Sequence, residues 1–151
     1  QTVWLEYEFK CKPGNVSRAP CVIAPYQSRI DWQIWFAAMQ SYENNPCTYY
    51  STKFTCTPYL TNDPTTQIGL VHFVYKLLHN DAKSLRLIES SPFPKDSPPK
   101  WIKIDRYLYK FTTSLDSKDW WTREFYGEYL GPLNRDHEGL RGFMRTNFGY
   151  S

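Results

Sequence analysis

Apolar and polar side chains alternate along the first segment of the chain, over residues 3–11. This period of two predicts a β-strand with one buried face. We expect the strand to end at Pro13-Gly14, because proline lacks an amide hydrogen and glycine favours a turn.

A second alternating segment, residues 101–112, predicts another strand. Its alternation changes phase near Asp105-Arg106, which indicates a β-bulge. Residues 120–126 have the composition of an antiparallel partner, joined to the first strand by a polar turn. We expect this partner to end at a group of turn-forming residues, Gly127, Gly131 and Pro132.

Apolar residues at helical spacing predict a first helix that begins near Ser28 and ends near Asn45. A second helix is expected over residues 67–79, and Asp81 is the expected N-cap of a short third helix. A further short helix is expected at 136–145. After the third helix, residues 90–99 contain four prolines, which predict an extended crossover to the strand at 101–112.

These elements predict a single α+β domain over residues 1–151. Its core is an antiparallel β-sheet with two or three helices packed on one side, and a sandwich-like arrangement is one form of that architecture. Residues 46–66 are rich in Thr, Tyr, Asn and Pro and predict an inserted surface loop or small hairpin, pinned by a Cys47–Cys56 pair.

Composition excludes several classes of protein. The 151 residues carry a formal net charge of +3 without a Lys/Arg run, which argues against a nucleic-acid partner. No apolar stretch approaches the roughly 20 residues that span a bilayer. The chain opens without a signal peptide, so we expect a mature or excised segment. Aromatic residues make up 18%, and we expect most of these rings inside.

Four cysteines predict disulfide bonds and an oxidising compartment. Sequence separation favours the local pairs Cys11–Cys21 and Cys47–Cys56 over the other two possible arrangements. Buried free thiols are the main alternative. Zinc and redox sites are weaker alternatives, because no C-x-x-C motif is present.

The sequon Asn15-Val16-Ser17 predicts N-glycosylation on the turn after the first strand. Motifs of catalysis are missing from the sequence: it has no Gly-x-Ser-x-Gly elbow, no Gly-rich phosphate loop and no H-E-x-x-H. We therefore expect no enzyme activity, no catalytic residue, no metal and no cofactor.

Two polar or aromatic spots are candidates for contact with a partner protein. Arg29 and Asp31 flank the start of the predicted first helix beside Trp32, where an ion pair could be partly buried. Trp120 and Trp121 are adjacent on a predicted strand, so one ring is expected inside and the other outside. An exposed Trp is a typical binding hot spot. In each case the plainer interpretation is a structural role.

Several segments share an order with one known family. The longest runs Trp4-Leu-Glu-Tyr-Glu-Phe-Lys-Cys11-Lys-Pro-Gly and continues through Arg18-Ala-Pro-Cys21. Further along the chain come Arg29-Ile-Asp-Trp32-Gln-Ile-Trp-Phe-Ala-Ala38, Lys76–Ile88, Ser91-Pro-Phe93, Pro98–Lys103, Tyr107–Phe111, Trp120–Arg123 and Gly127–Leu133. Over residues 3–133 the chain thereby resembles the luminal C-terminal domain of the lipase maturation factors.

The resemblance implies a luminal or extracellular interaction domain without catalytic residues. Members of that family are multispanning proteins of the endoplasmic reticulum whose luminal domains help secreted lipases to fold and assemble. The implied partner is a client protein, preferably a lipase, or another protein subunit. Membrane attachment would come only from segments absent from this chain. A secreted glycan- or protein-binding module on the same fold is the alternative function.

The chain departs from the family pattern at a few positions. Asn15 replaces an aspartate and creates the sequon, Gly131 replaces a proline, and residues 46–66 are inserted. Cys11 and Cys21 match cysteines of the family. We expect either a fragment of a membrane protein or a stand-alone relative.

Overall fold

The computed structural model describes residues 2–11, 14–22, 30, 47–50, 53–56 and 64–150, with only the backbone described for 47–50, 53–56 and 64–68. These residues form an α+β structure, as the sequence predicts. The elements, in chain order, are β1 (Cys47–Tyr50), β2 (Lys53–Cys56), α1 (Pro64–Leu78), α2 (Ala82–Leu85), β3 (Trp101–Phe111), β4 (Trp121–Asn134) and α3 (Glu138–Phe148).

The strands pair in two antiparallel hairpins, β1 with β2 and β3 with β4. Within the described parts of the chain these are two separate two-stranded sheets, and they form no sandwich. In the first hairpin Cys47 lies opposite Cys56 in the backbone register. The predicted first helix, including Arg29, Asp31 and Trp32, lies outside the described residues apart from Ile30.

The core forms where α1, α3 and one end of the β3–β4 hairpin meet. Helix α1 buries an apolar face at the spacing the sequence predicts, because residues three and four apart share a face. Leu78, Leu133, Leu140 and Met144 are fully buried. Their neighbours in this cluster are Ile30, Val71, Phe73, Val74, Leu77, Ile88, Ile102, Tyr129 and Leu130.

The predicted strand over residues 3–11 is wrong in its pairing. Among the residues that the structure describes, the segment makes a single antiparallel bridge, between Glu8 and Ser90. Its neighbour is the proline-rich crossover, in which Pro92 and Pro94 have no amide hydrogen to extend a ladder. Only the later part of the alternating face, Tyr7 and Phe9, packs against the core.

Strand β4 is longer than predicted, because Gly127, Gly131 and Pro132 lie within it rather than after it. Strand β3 has 11 residues and β4 has 14, and three register shifts absorb the difference. Gly131 and Pro132 fall at the shift between Ile102 and Ile104, where a ladder tolerates both residue types. The predicted bulge near residues 105–106 is confirmed, since a shift separates Arg106 from Tyr107.

The short helices are capped by side chains. Asp81 accepts a hydrogen bond from the Ser84 amide at 2.9 Å, which confirms it as the N-cap of α2. Helix α3 begins two residues later than predicted, because the Nδ1 atom of His137 accepts from the Leu140 amide and caps it. None of the helices in the described parts of the chain is long and apolar enough to cross a membrane.

Candidate functional site

The β3–β4 hairpin is buried at one end and uncovered at the other. Near the chain ends of the hairpin, Ile102 and Leu133 belong to the core. Beyond the register shifts, residues 105–111 and 121–128 extend away from the core, and we call this part the outer hairpin. Most of its side chains are exposed, so its composition reflects something other than core packing.

One side of the outer hairpin is lined by rings and a single cation. Three cross-strand pairs share it, because alternate residues of a strand point to the same face. We call these six side chains the aromatic face, and the register pairs them as Tyr107 with Phe125, Tyr109 with Arg123, and Phe111 with Trp121.

The rings of the aromatic face contact one another, two pairs edge to face and one pair stacked. Tyr107 and Phe125 meet edge to face, with centroids 5.6 Å apart. Trp121 stacks on Phe111 at 4.5 Å and meets Tyr109 edge-on at 6.3 Å. Phe111 is 63% exposed and Phe125 58%, so rings of this kind present apolar area to solvent at both ends of the face.

Arg123 lies at the centre of the aromatic face and is held on three sides. Its guanidinium is 4.7 Å from the centre of the Tyr107 ring, a cation–π distance. Its Nη1 atom also donates to the Tyr109 hydroxyl at 3.4 Å and to Glu6 at 3.2 Å. The hydrogen bond to Tyr109, and after it the one to Glu6, raise the pKa of Arg123 further above its usual range. The face therefore carries a fixed positive charge.

The loop between Cys11 and Cys21 packs against the tip side of the aromatic face. The two Sγ atoms are 2.06 Å apart, the distance of a disulfide bond. The carbonyl of Val16 accepts from the backbone amides of Trp120 and Trp121 at 2.9 and 3.1 Å. We call residues 11–21 the disulfide loop, and it braces the outer hairpin from one side.

Side chains of the aromatic face add to this brace. The indole Nε1 of Trp121 donates to the Arg18 carbonyl at 2.8 Å, and the Tyr109 hydroxyl donates to the Gly14 carbonyl at 3.1 Å. Partial burial there raises the pKa of the Tyr109 hydroxyl, which therefore stays protonated as a donor. The guanidinium of Arg18 in turn donates to the backbone carbonyls of Phe9 and Lys10.

The structure separates the two tryptophans singled out in the sequence. Trp120 is 49% exposed and precedes β4, whereas Trp121 is half-buried under the disulfide loop. Neither ring belongs to the core cluster, so the expected inside–outside division is only a division between exposed and half-buried. Arg29, Asp31 and Trp32 lie outside the described residues, and their role in binding stays a prediction.

The residues that sequence reasoning missed are Tyr107, Phe111, Arg123 and Phe125. Most aromatic rings of the chain were expected inside, and the structure leaves several of those in β3 exposed. The available signal was the shared period of Trp121, Arg123 and Phe125, two residues apart. This period shows that the three residues share one side of β4. Their pairing with the rings of β3 is known only from the cross-strand register.

The three histidines have structural partners. His72 Nε2 lies 2.8 Å from the Tyr150 hydroxyl, His79 Nδ1 lies 2.9 Å from the Tyr75 carbonyl, and His137 caps α3. Burial first, and Lys76 second, lower the pKa of His72. Within the described ranges no three His, Cys, Asp or Glu residues lie close enough together to hold a metal ion.

Comparison with known proteins shows the family. The model of the lipase maturation factor C-terminal domain matches residues 1–131, and the chain belongs to that family. It is 38% identical over 150 residues to lipase maturation factor 1 of Bos taurus and 38% identical over 148 residues to that of Homo sapiens. It is 32% identical over 146 residues to human lipase maturation factor 2.

The match covers nearly all of this chain and a small part of its relatives. The alignments span 96%, 95% and 94% of this chain but 22%, 22% and 17% of those three proteins. The chain thus spans about a fifth of the length of the curated relatives it matches. No solved structure matches it.

Proposed function

We propose that this chain is a non-enzymatic interaction domain of the secretory pathway that assists the folding or assembly of secreted lipases. The whole of residues 1–151 acts as one domain, with residues 46–66 as an insertion. Membership of the lipase maturation factor family supports the client class, since its members are named for lipases. The domain acts on its client by binding alone and catalyses no reaction.

The uncovered aromatic face is the observation that carries this proposal. Contiguous exposed rings typically mark a protein-binding surface, because removing their apolar area from water lowers the free energy. Aromatic residues and arginine are the types that dominate binding energy at interfaces. The aromatic face combines five rings with one arginine whose position is fixed by Tyr107, Tyr109 and Glu6.

A partly folded lipase is the occupant that fits this surface. Before its own core closes, such a chain exposes apolar side chains and unpaired carbonyls. The rings at each end of the aromatic face can cover the former, and Arg123 between them can donate to the latter. A face of this kind binds many apolar segments with modest affinity, as a folding factor requires.

We place the domain on the luminal or extracellular side of a secretory membrane. The disulfide-bonded Cys11 and Cys21 are typical of an oxidising compartment. Any attachment to the membrane would lie in parts of a longer protein, as the length of the relatives allows.

Binding of an unfolded secreted lipase to the purified chain tests the proposal. The lipase is diluted from denaturant over the immobilised domain, and Kd is measured for the wild type, for Phe125→Ala and for Tyr107→Ala. We expect at least about tenfold weaker binding by each variant, because truncating a hot-spot ring costs on the order of 2 kcal/mol.

Leu115→Ala is the matched control, because Leu115 is 102% exposed in the turn beyond the aromatic face. It should bind like the wild type, and all variants should have similar melting temperatures. Equal loss in the control and the ring variants, or no binding by the wild type, would contradict the proposal.

The alternative, a secreted glycan-binding module, is less well supported by the same rings. Sugars are typically bound by flat aromatic platforms, whereas the ring pairs of the aromatic face are inclined at 73° and 85° or stacked directly on each other. Saturable binding of a defined oligosaccharide that Phe125→Ala abolishes would favour this alternative.

A further inference from the structure

Asn15 lies in the disulfide loop, directly before Val16, whose carbonyl contacts the outer hairpin. It is exposed, as is Ser17, and the two belong to the only Asn-x-Ser/Thr sequence in the chain. Its Oδ1 atom accepts a hydrogen bond from the Ser17 amide at 3.0 Å, which closes an Asx turn. The turn uses only the oxygen of the side-chain amide, so a substituent on Nδ2 is compatible with the folded loop.

The surroundings of Asn15 hold the sequon open to solvent. The Ser17 hydroxyl hydrogen-bonds Asp119, and the Arg18 amide donates to the Asn15 carbonyl at 3.1 Å. Together with the bonds from Trp120 and Trp121 to Val16, these contacts fix the loop backbone on the hairpin. A group attached at Asn15 would therefore project from the tip side of the outer hairpin without displacing a packed side chain.

We propose that Asn15 carries an N-linked oligosaccharide. This inference rests on the proposed luminal or extracellular location, because the transfer takes place there. The co-reactant is a lipid-linked oligosaccharide diphosphate. A bond forms between Asn15 Nδ2 and C1 of the first sugar, the bond from C1 to the phosphate oxygen breaks, the lipid diphosphate leaves with the electron pair, and Nδ2 loses a proton.

Transfer precedes docking of the disulfide loop on the outer hairpin. In the folded loop the Ser17 hydroxyl is engaged by Asp119 and the Val16 carbonyl by two tryptophan amides. A transferase that must read the sequon hydroxyl and backbone can do so only before those contacts form. The glycan is then displayed on the finished surface, beside the face proposed to bind clients.

Expression of the whole chain in secretory eukaryotic cells tests this site. A signal peptide and a flexible C-terminal extension with one reporter sequon are added, and each variant is treated with a peptide N-glycosidase. We expect the wild type and Ser17→Thr to lose two glycans. Asn15→Asp and Ser17→Ala should lose only the reporter glycan. Peptide mass spectrometry should show Asn15 converted to aspartate after treatment of the wild type.

The variants are matched to the structure. Asn15→Asp retains an oxygen that can accept from the Ser17 amide, and Ser17→Thr retains the hydroxyl that bonds Asp119. A modified reporter with an unmodified Asn15 would overturn the inference and leave the proposed function intact. Modification of Asn15 in a chain that binds no lipase would overturn the function and leave this site standing.

Discussion

At the scale of single residues, Arg123 is the side chain with the most varied contacts on the outer hairpin. It combines a cation–π contact with Tyr107 and hydrogen bonds to Tyr109 and Glu6. These contacts differ in strength. The Glu6 side chain is half-exposed, so solvent screens its ion pair with Arg123, whereas the ring contact does not depend on a second flexible charge.

A double-mutant cycle on Glu6 and Arg123 should therefore give a small coupling energy. We expect about 0.5 kcal/mol or less for the exposed pair, and a further loss of about 0.5–1 kcal/mol when Arg123→Gln also removes the ring contact. Urea unfolding of Glu6→Gln, Arg123→Gln and the double variant measures this. A loss for Glu6→Gln as large as that for Arg123→Gln would show the ion pair to be the stronger contact.

His72 makes stability depend on pH. Its ring stacks on Phe148 at 3.9 Å and its Nε2 meets the Tyr150 hydroxyl, while burial, then Lys76, lower its pKa and Asp81 opposes them. The unfolded chain therefore takes up the proton first as pH falls. The stabilisation by neutral His72 is complete above the unfolded pKa of about 6.5 and is lost as pH falls through the lower folded pKa.

The free energy of unfolding should thus decrease between about pH 7.5 and about pH 5.5. Measured by urea unfolding, the decrease should be smaller in His72→Gln, which cannot titrate. Tyr150→Phe, which keeps the titrating ring, is the control and should retain the pH dependence. An unchanged slope in His72→Gln would assign the effect to another group.

At the scale of elements, the contrast between α3 and its end shows how one residue type acts in opposite ways. Gly142 lies inside the helix, and a Cβ there would meet nothing within 4 Å. Gly149 ends the helix with φ +70°, and its amide donates to the Arg145 carbonyl at 3.1 Å. The left-handed conformation at Gly149 favours glycine over other residues. Gly142 lies inside the helix, where glycine has no such advantage.

Alanine at these two glycines should change stability in opposite directions. Gly142→Ala should raise the free energy of unfolding by up to about 1 kcal/mol, because alanine is the better helix former. Gly149→Ala should lower it by about 1 kcal/mol through strain in the left-handed conformation. Thermal denaturation of the two variants side by side measures both. A gain in stability for Gly149→Ala would contradict the cap.

Elements whose order is set by local periodicity were predictable from the sequence. The apolar spacing of α1, the Asp81 cap and the bulge in β3 are examples, because neighbours along the chain determine each of them. The length of β4 and the failed strand at residues 3–11 depend instead on a partner segment. In β4, register shifts allow Gly131 and Pro132 to lie within the strand. At residues 3–11, Pro92 and Pro94 of the neighbouring segment limit pairing. The aromatic face was missed for the same reason, since Tyr107 and Phe125 become neighbours only through that register.

At the scale of the whole molecule, two cysteine pairs, Cys11 with Cys21 and Cys47 with Cys56, lie in separate segments of the chain. One closes the disulfide loop against the outer hairpin, and the other is placed opposite in the β1–β2 register. Helix α3 lies beside β2, so the β1–β2 hairpin is close to the core-forming helices. A correct set of pairings would therefore hold both the loop and the inserted hairpin in place.

Mass spectrometry of an unreduced tryptic digest should show the two local pairs. Trypsin can cut after Arg18 and after Lys53, between the cysteines of each predicted pair. We expect the peptide with Cys11 joined to that with Cys21, and the peptide with Cys47 joined to that with Cys56. A peptide that links Cys11 to Cys47 or Cys56, or a thiol that alkylates in denaturant without reduction, would contradict the local arrangement.

The hairpin's two-part construction has a consequence for engineering. Its inner end is packed in the core through Ile102 and Leu133. Its outer part is joined to the rest mainly through hydrogen bonds that Trp120 and Trp121 donate to the carbonyls of Val16 and Arg18. The outer hairpin can therefore be exchanged between related proteins as one unit. Splicing residues 105–128 from one paralogue into another should transplant client preference while the recipient keeps its own melting behaviour.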